Sequence, residues 1–125
     1  MKTCLIVDES NVIRKVASRI IFKLDFTVEN ASTGAEALAM LRDGALPDLI
    51  IVAATLPDMV GDDLVRTLRA RPEGSQPIIL GSFVEANLGQ MTRMKRAGTN
   101  GFIYKPFDRA ALTGWLQPFL TEVAA

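Results

Sequence analysis

The chain contains no histidine and a single cysteine, Cys4. Cys4 cannot close an internal disulfide, and without histidine there is no material for a Cys/His zinc cluster or an imidazole base. Net charge is missing too: 14 basic and 14 acidic residues cancel, and the pI is about 6.2. With no Lys/Arg run, the sequence carries no electrostatic footprint for DNA or an anionic membrane. Its longest apolar run, Leu49 to Ala54, falls far short of the roughly 20 residues that a membrane span needs. The apolar stretch after Met1-Lys2-Thr3 stops at Asp8, too soon for a signal-peptide core. Gly-x-Gly-x-x-Gly, a P-loop and a Gly-x-Ser-x-Gly elbow are all absent, so no enzyme class is favoured. These absences point to a cytoplasmic, non-enzymatic protein whose partners are other proteins or a small ligand.

What is present is enough for one packed core. The length of 125 residues, 49% of them apolar, suits a single domain spanning residues 1–125. Apolar bursts at 3–7, 26–30, 48–53, 77–81 and 100–104 are each followed by a segment of helical periodicity. That alternation predicts βα units on a five-stranded parallel sheet, doubly wound. Val12, Val16, Ile20 and Leu24 recur every four residues and predict the inner face of a first helix capped by Ser10. A second helix starts at Ser32 or Thr33 and stops before Pro47; a third opens at Gly61-Asp62-Asp63, with acids where the helix dipole favours them. Leu64, Val65 and Leu68 are its predicted core residues, and Arg71-Pro72-Glu73-Gly74 ends it. The fourth helix is expected from Glu85 to Ala97 with Gly98 as cap. The fifth is expected from Asp108, carrying Leu112, Trp115, Leu116 and Phe119 inward, with a bend at Pro118. Cys4 is expected to be buried, and Arg66, Arg69, Arg71, Arg93 and Arg96 to lie on solvated helix faces.

Right-handed crossovers place helices on both faces of such a sheet and gather its functional loops at the carboxyl ends of the strands. Three strands deliver polar groups there: Asp8 and Glu9 after the first, Ser82 after the fourth, Lys105 after the fifth. Adjacent carboxylates repel unless a divalent metal or a nearby cation such as Lys105 offsets them, and oxygen ligands without His or Cys favour Mg²⁺. A lysine and a hydroxyl beside such a metal suit a phosphoryl group, whose oxygens they can bind.

Several segments carry a resemblance. They are Leu5-Ile6-Val7-Asp8-Glu9-Ser10, Gly34-Ala35-Glu36-Ala37-Leu38, Pro47-Asp48-Leu49-Ile50-Ile51, Leu56-Pro57-Asp58-Met59-Val60-Gly61, and Gly101-Phe102-Ile103-Tyr104-Lys105-Pro106-Phe107. Over nearly its whole length the chain resembles the receiver domains of bacterial response regulators, above all the single-domain, chemotaxis-regulator-like members. The resemblance implies the flavodoxin-like (βα)5 fold with strand order 2-1-3-4-5. It makes Asp8 and Glu9 the acidic pair and the Thr55 carbonyl a metal ligand for Mg²⁺. Ser82 becomes the switch hydroxyl, Phe102 the rotating aromatic, Lys105 the phosphoryl-contacting lysine, and Pro106 follows a cis peptide. A sensor histidine kinase or phosphotransfer protein is the implied donor. The surface of the fourth helix, fifth strand and fifth helix is the implied effector face.

The chain departs from this pattern at the centre. The acceptor aspartate of the family falls at Ala53, four residues before Pro57, and a methyl group can neither attack phosphorus nor ligate Mg²⁺. Mg²⁺ binding is therefore expected to be weakened or absent. Glu9 is one methylene longer than the commoner aspartate, Val60 replaces an acid, and Phe83 follows Ser82. Ala53 is either a disabling substitution in an intact site or the mark of a natural pseudo-receiver that answers to a partner or a nucleotide second messenger such as a cyclic dinucleotide. Asp58 is the nearby candidate for a substitute acceptor. With no output domain after residue 125, any output is expected to pass through another protein.

Overall fold

The computed structural model describes residues 2–124, with side-chain surroundings described as far as residue 120. Five strands alternate with five helices: β1 (Lys2–Val7), α1 (Asn11–Phe22), β2 (Phe26–Ala31), α2 (Gly34–Met40), β3 (Leu49–Ala53), α3 (Gly61–Arg69), β4 (Ile78–Phe83), α4 (Leu88–Ala97), β5 (Gly101–Tyr104) and α5 (Arg109–Ala124). All strand pairs are parallel, in the order β2-β1-β3-β4-β5. The expected doubly wound, flavodoxin-like fold is the one observed.

Strand composition follows position in the sheet. β3 lies at the centre, covered on both faces, and every one of its residues is buried, so it is a continuous apolar run. The edge strand β2 buries only Phe26 and Ala31 and exposes Thr27, Glu29 and Asn30. Two apolar clusters fill the two sides. Leu5, Val7, Ile50 and Val52 pack with Leu64, Val65, Leu68 and Met94 of α3 and α4. On the opposite face, Cys4, Ile6, Ile51 and Leu80 pack with Ile20 and Ile21 of α1 and Leu112 and Leu116 of α5. Burial in this second cluster pushes the Cys4 thiol pKa well above its ordinary range, so Cys4 is an inert core residue.

The caps expected at Ser10 and Thr33 are in place: each hydroxyl accepts the backbone N–H three residues on, from Ile13 at 3.2 Å and Glu36 at 3.0 Å. Other expectations need correction. In α1 the buried residues are Ala17, Ile20 and Ile21, whereas Val12 is 69% exposed and Val16 is also open to solvent. A repeat of strictly four residues drifts around a helix of 3.6 residues per turn, so the start of the row leaves the core. α4 begins at Leu88 rather than Glu85, because the Asn87 side chain accepts from Gln90 N at 2.9 Å and fixes the start. Arg69 and Arg71 are half-buried rather than lying on solvated helix faces. The Arg69 guanidinium donates to the carbonyls of Gly74, Pro77 and Gly98 and to Asn100 Oδ1, and Arg71 donates to the Leu41 carbonyl. α5 runs through Pro118 as one helix.

Leu64 is fully buried between α3 and the sheet, so Leu64→Ala is expected to cost about 3 kcal/mol in urea unfolding. Val12→Ala, at a site exposed by the drift of α1, is expected to stay within about 0.5 kcal/mol of the parent.

Candidate functional site

The carboxyl ends of β1, β3, β4 and β5 meet at one edge of the sheet. Asp8 leaves β1 with its backbone N–H still bonded to the Ala31 carbonyl, and its carboxylate is almost completely buried. Oδ1 accepts from Ser10 N at 2.9 Å, and Oδ2 accepts from Lys105 Nζ at 2.8 Å. The side chains of this ion pair are 3% and 12% exposed, and the pair joins the ends of β1 and β5 across the two intervening strands. Glu9, next in the chain, is exposed. The acidic pair is thus split, one member turned into an internal salt bridge and the other left at the surface.

Ala53 closes β3, fully buried, and stands opposite Ser82 in the β3–β4 register. The strand end is held tightly. Ala54 N donates to the Ser82 carbonyl at 2.9 Å, and Gly61 N donates to the Ala54 carbonyl at 2.8 Å. Gly61 has to be glycine here, since a Cβ would lie 2.4 Å from the Ala53 carbonyl oxygen as α3 begins. Ser82 is itself buried, and its Oγ has no hydrogen-bond partner. The methyl of Ala53 offers it none. A buried hydroxyl left this way costs about 1–3 kcal/mol.

Two adjoining clefts open on this edge. One, of about 290 Å³, is lined among others by Ser82, Phe83, Glu85 and Gln90. The other, of about 270 Å³, is lined by Asp8, Ser10, Ile13 and Pro106. Glu9, Thr55, Val84 and Lys105 border both. Thr55 is exposed and pairs with Val60 in a single antiparallel bridge. The Lys105-Pro106 peptide is cis, as the resemblance implied. Phe102 is half-buried, with its ring edge-on to Phe83 at 5.5 Å, and Tyr104 meets Trp115 in the same way at 6.1 Å.

The fit of this edge to Mg²⁺ is poor. A hard divalent ion wants about six oxygens. Here one Asp8 oxygen is taken by Lys105 and the other by a backbone N–H, Glu9 stands alone, and position 53 carries a methyl group. Among the described residues no group of three His, Cys, Asp or Glu side chains is gathered to hold a metal.

One participant was not evident from residue type. The Gln90 side chain donates from Nε2 to the Ala54 carbonyl at 2.6 Å and so ties α4 to the loop after β3. Only its place three residues after the Asn87 cap hinted at its position. Asp58, the candidate substitute acceptor, is engaged elsewhere: its two oxygens accept from Gly34 N and Ala35 N, each at 2.9 Å, at the start of α2. Asp62 lies in the first turn of α3 as expected and is buried there, with one oxygen on Arg66 and the other, Oδ1, without a partner.

The chain matches the response regulator receiver domain family over residues 4–117. It belongs to that family. Chemotaxis protein CheY-3 of Vibrio cholerae is 34% identical to this receiver, over 86% of this chain and 83% of its own. The CheY protein of Pseudomonas aeruginosa is 33% identical over 95% and 96%. Among solved structures, CheY4 of Vibrio cholerae superposes with a TM-score of 0.87 at 31% identity, covering 94% of this chain and 98% of that one. The receiver domain of sensor histidine kinase PA1611 from Pseudomonas aeruginosa has a TM-score of 0.83 at 26% identity, covering 96% and 98%. That structure has a magnesium ion coordinated in its active-site cleft. The chain is therefore a CheY-like receiver of two-component signalling. No helix among its described residues is long and apolar enough to cross a membrane.

Two measurements follow for this receiver edge. Lys105→Met leaves the buried Asp8 carboxylate without its counter-charge and is expected to lower stability by about 3 kcal/mol at neutral pH in urea unfolding. The N–H groups of Ala35 and Gly34 hold the Asp58 carboxyl below its ordinary pKa of 3.8. A lowered carboxyl contributes stability that is complete above 3.8 and is lost as the pH falls through the lowered value. Asp58→Asn is therefore expected to be less stable at neutral pH and to show a shallower acid slope in a pH series of unfolding curves.

Proposed function

We propose that this receiver domain, residues 1–125, signals without a phosphoryl group at the usual place, by protein–protein interaction rather than catalysis. Ala53 takes the acceptor position, and the observation that carries the reading is its methyl group at the end of β3, buried opposite the unpartnered Ser82 hydroxyl. Around it Asp8, Glu9 and the Thr55 carbonyl keep the metal-site positions, and Ser82, Phe102, Lys105 and Pro106 the phosphoryl-site and switch positions. With Lys105 paired to Asp8 and no third carboxylate, Mg²⁺ affinity is weak or absent.

Receivers of this family work between histidine kinases and downstream effectors, and phosphate moves them between two pre-existing shapes of a docking surface. The proposed effector face is α4-β5-α5. It carries Leu88 at 81% exposed and the Tyr104 ring against Trp115, and a soluble effector protein fits it. A sensor kinase or phosphotransfer protein remains the proposed upstream partner, binding without transferring phosphate. The arginine-based reading as a cyclic-dinucleotide receptor is less favoured, because three of its five arginines, Arg66, Arg69 and Arg71, are engaged within the chain, and Arg93 and Arg96 of α4 alone are left to carry it.

The test is Ala53→Asp beside the parent, each given Mg²⁺ and beryllofluoride, with Trp115 fluorescence and amide NMR shifts as the readout. The parent is expected not to respond. A response of the Ala53→Asp variant alone marks Ala53 as a disabling change in a working receiver, and silence from both marks a pseudo-receiver. A saturable Mg²⁺-dependent response of the parent overturns the proposal.

A further inference from the structure

The sheet ends in two edge strands, and they are protected unequally. β5 is a four-residue edge that runs into the cis Lys105-Pro106 peptide. β2 has six residues in unbroken register with β1, with no proline, lysine or bulge to discourage further pairing. The bond from Asp8 N to the Ala31 carbonyl fixes which way its backbone faces. The N–H and C=O of one strand residue point to the same side and neighbours alternate, so those of Thr27, Glu29 and Ala31 face β1. Those of Val28 and Asn30 face outward, and no described residue bonds them. The side chains of these two lie toward α1, Val28 against the core and Asn30 accepting from the Ser18 hydroxyl at 3.0 Å.

This open edge is one wall of a groove of about 760 Å³ whose other wall is α1. Arg14, Lys15 and Arg19 line the groove, and no acid does. Glu29, the one charged residue of β2, alternates to the opposite face and lines a separate cleft with Met40 and Leu41. Arg14 is held by the Asp8 carbonyl and Asn11. Lys15 and Arg19 are one turn apart, at a spacing that brings helix side chains together, and neither has an ion-pair partner among the described residues. Like charges so placed repel, and an anion between them relieves the repulsion.

Three occupants can be weighed. A small anion meets the cations but leaves the backbone of Val28 and Asn30 open. A second copy paired edge to edge serves the backbone but brings its own α1, with the same cations, to the same side of the joined sheet. An extended acidic segment answers both demands. Its backbone bonds to Val28 and Asn30, and its alternate side chains, all on one face, carry carboxylates to Lys15 and Arg19.

We infer that the outer edge of β2 receives an extended, acidic segment of a partner protein as a sixth strand of the sheet. That edge lies across the sheet from β5 and does not involve position 53.

The experiment titrates the ¹⁵N-labelled full chain with the capped hexapeptide Thr-Glu-Thr-Glu-Thr-Val and with its Gln-for-Glu counterpart. Two further versions are N-methylated, one at both Glu amides and one at the second and third Thr amides. Expected with the acidic peptide are saturable shifts of the Val28 and Asn30 amides, and a response about tenfold weaker with the Gln peptide. In an added strand only one alternate set of amides faces β2, so one methylated version is expected to lose binding and the other to keep it. Lys15→Gln combined with Arg19→Gln, both at exposed helix positions, is expected to weaken the acidic peptide roughly fivefold. No saturable shift with millimolar peptide, equal responses to the Glu and Gln peptides, equal effects of the two methylations, or an unchanged response in the double variant overturns the inference. The same shifts with inorganic phosphate alone, or shifts that follow protein concentration without peptide, overturn it in favour of a simple anion site or of a second copy. None of these outcomes bears on the response to beryllofluoride, so the receiver reading is tested separately.

Discussion

The ion pair between Asp8 and Lys105 is the constraint on which the carboxyl edge depends. β1 and β5 are not neighbours in the sheet, so no backbone ladder joins their ends. A single contact of 2.8 Å between two largely buried side chains does so. Burial makes the two charges interdependent: either one alone would be an uncompensated ion in a poorly solvated place. The pair also fixes the character of the site. It commits the buried Asp8 carboxylate to Lys105 and leaves Glu9 as the exposed acid beyond the end of β1.

Most of the fold was legible because its signals are local and repeated. Five apolar bursts spaced by helical segments allow few topologies once crossovers must be right-handed, and the caps at Ser10, Thr33 and Gly98 are simple chemistry. What was not legible depended on angle and on distant partners. The row from Val12 to Leu24 gave the right helix and the wrong face at its start, since a period of four differs from 3.6. Arg69 looks like any helix-surface arginine in sequence, yet the loops after α3 and α4 converge on it with four acceptors. Asp8, Ser82 and Lys105 could be placed at one edge from strand order alone. The offset of Asp8 by Lys105 is one of the two uses that adjacent carboxylates suggest, and it is the one observed; that Asp58 would cap α2 and that Gln90 would reach the Ala54 carbonyl could not be read, because each depends on side-chain direction.

The hydrogen bond from Gln90 to Ala54 connects two regions that two-state signalling needs to couple. One is the loop after β3, just beyond Ala53; the other is α4, part of the proposed effector face. Met94 of α4 packs where Gly81 of β4 has no side chain, and a Cβ there would lie 2.9 Å from the Met94 methyl. Side-chain bond and close packing together seat α4 in one position against the sheet. A partner that favours this position selects it without any change at the edge.

Position 53 also bears on how the protein balances stability against activity. On the proposed reading, a carboxylate at the end of β3 would be a charge set among buried apolar neighbours, and such a cost is tolerated in working sites because chemistry requires it. The methyl of Ala53 carries no charge and fits among those neighbours. On the proposed reading, the residues around position 53 serve packing and the shape shown to a partner rather than phosphoryl chemistry.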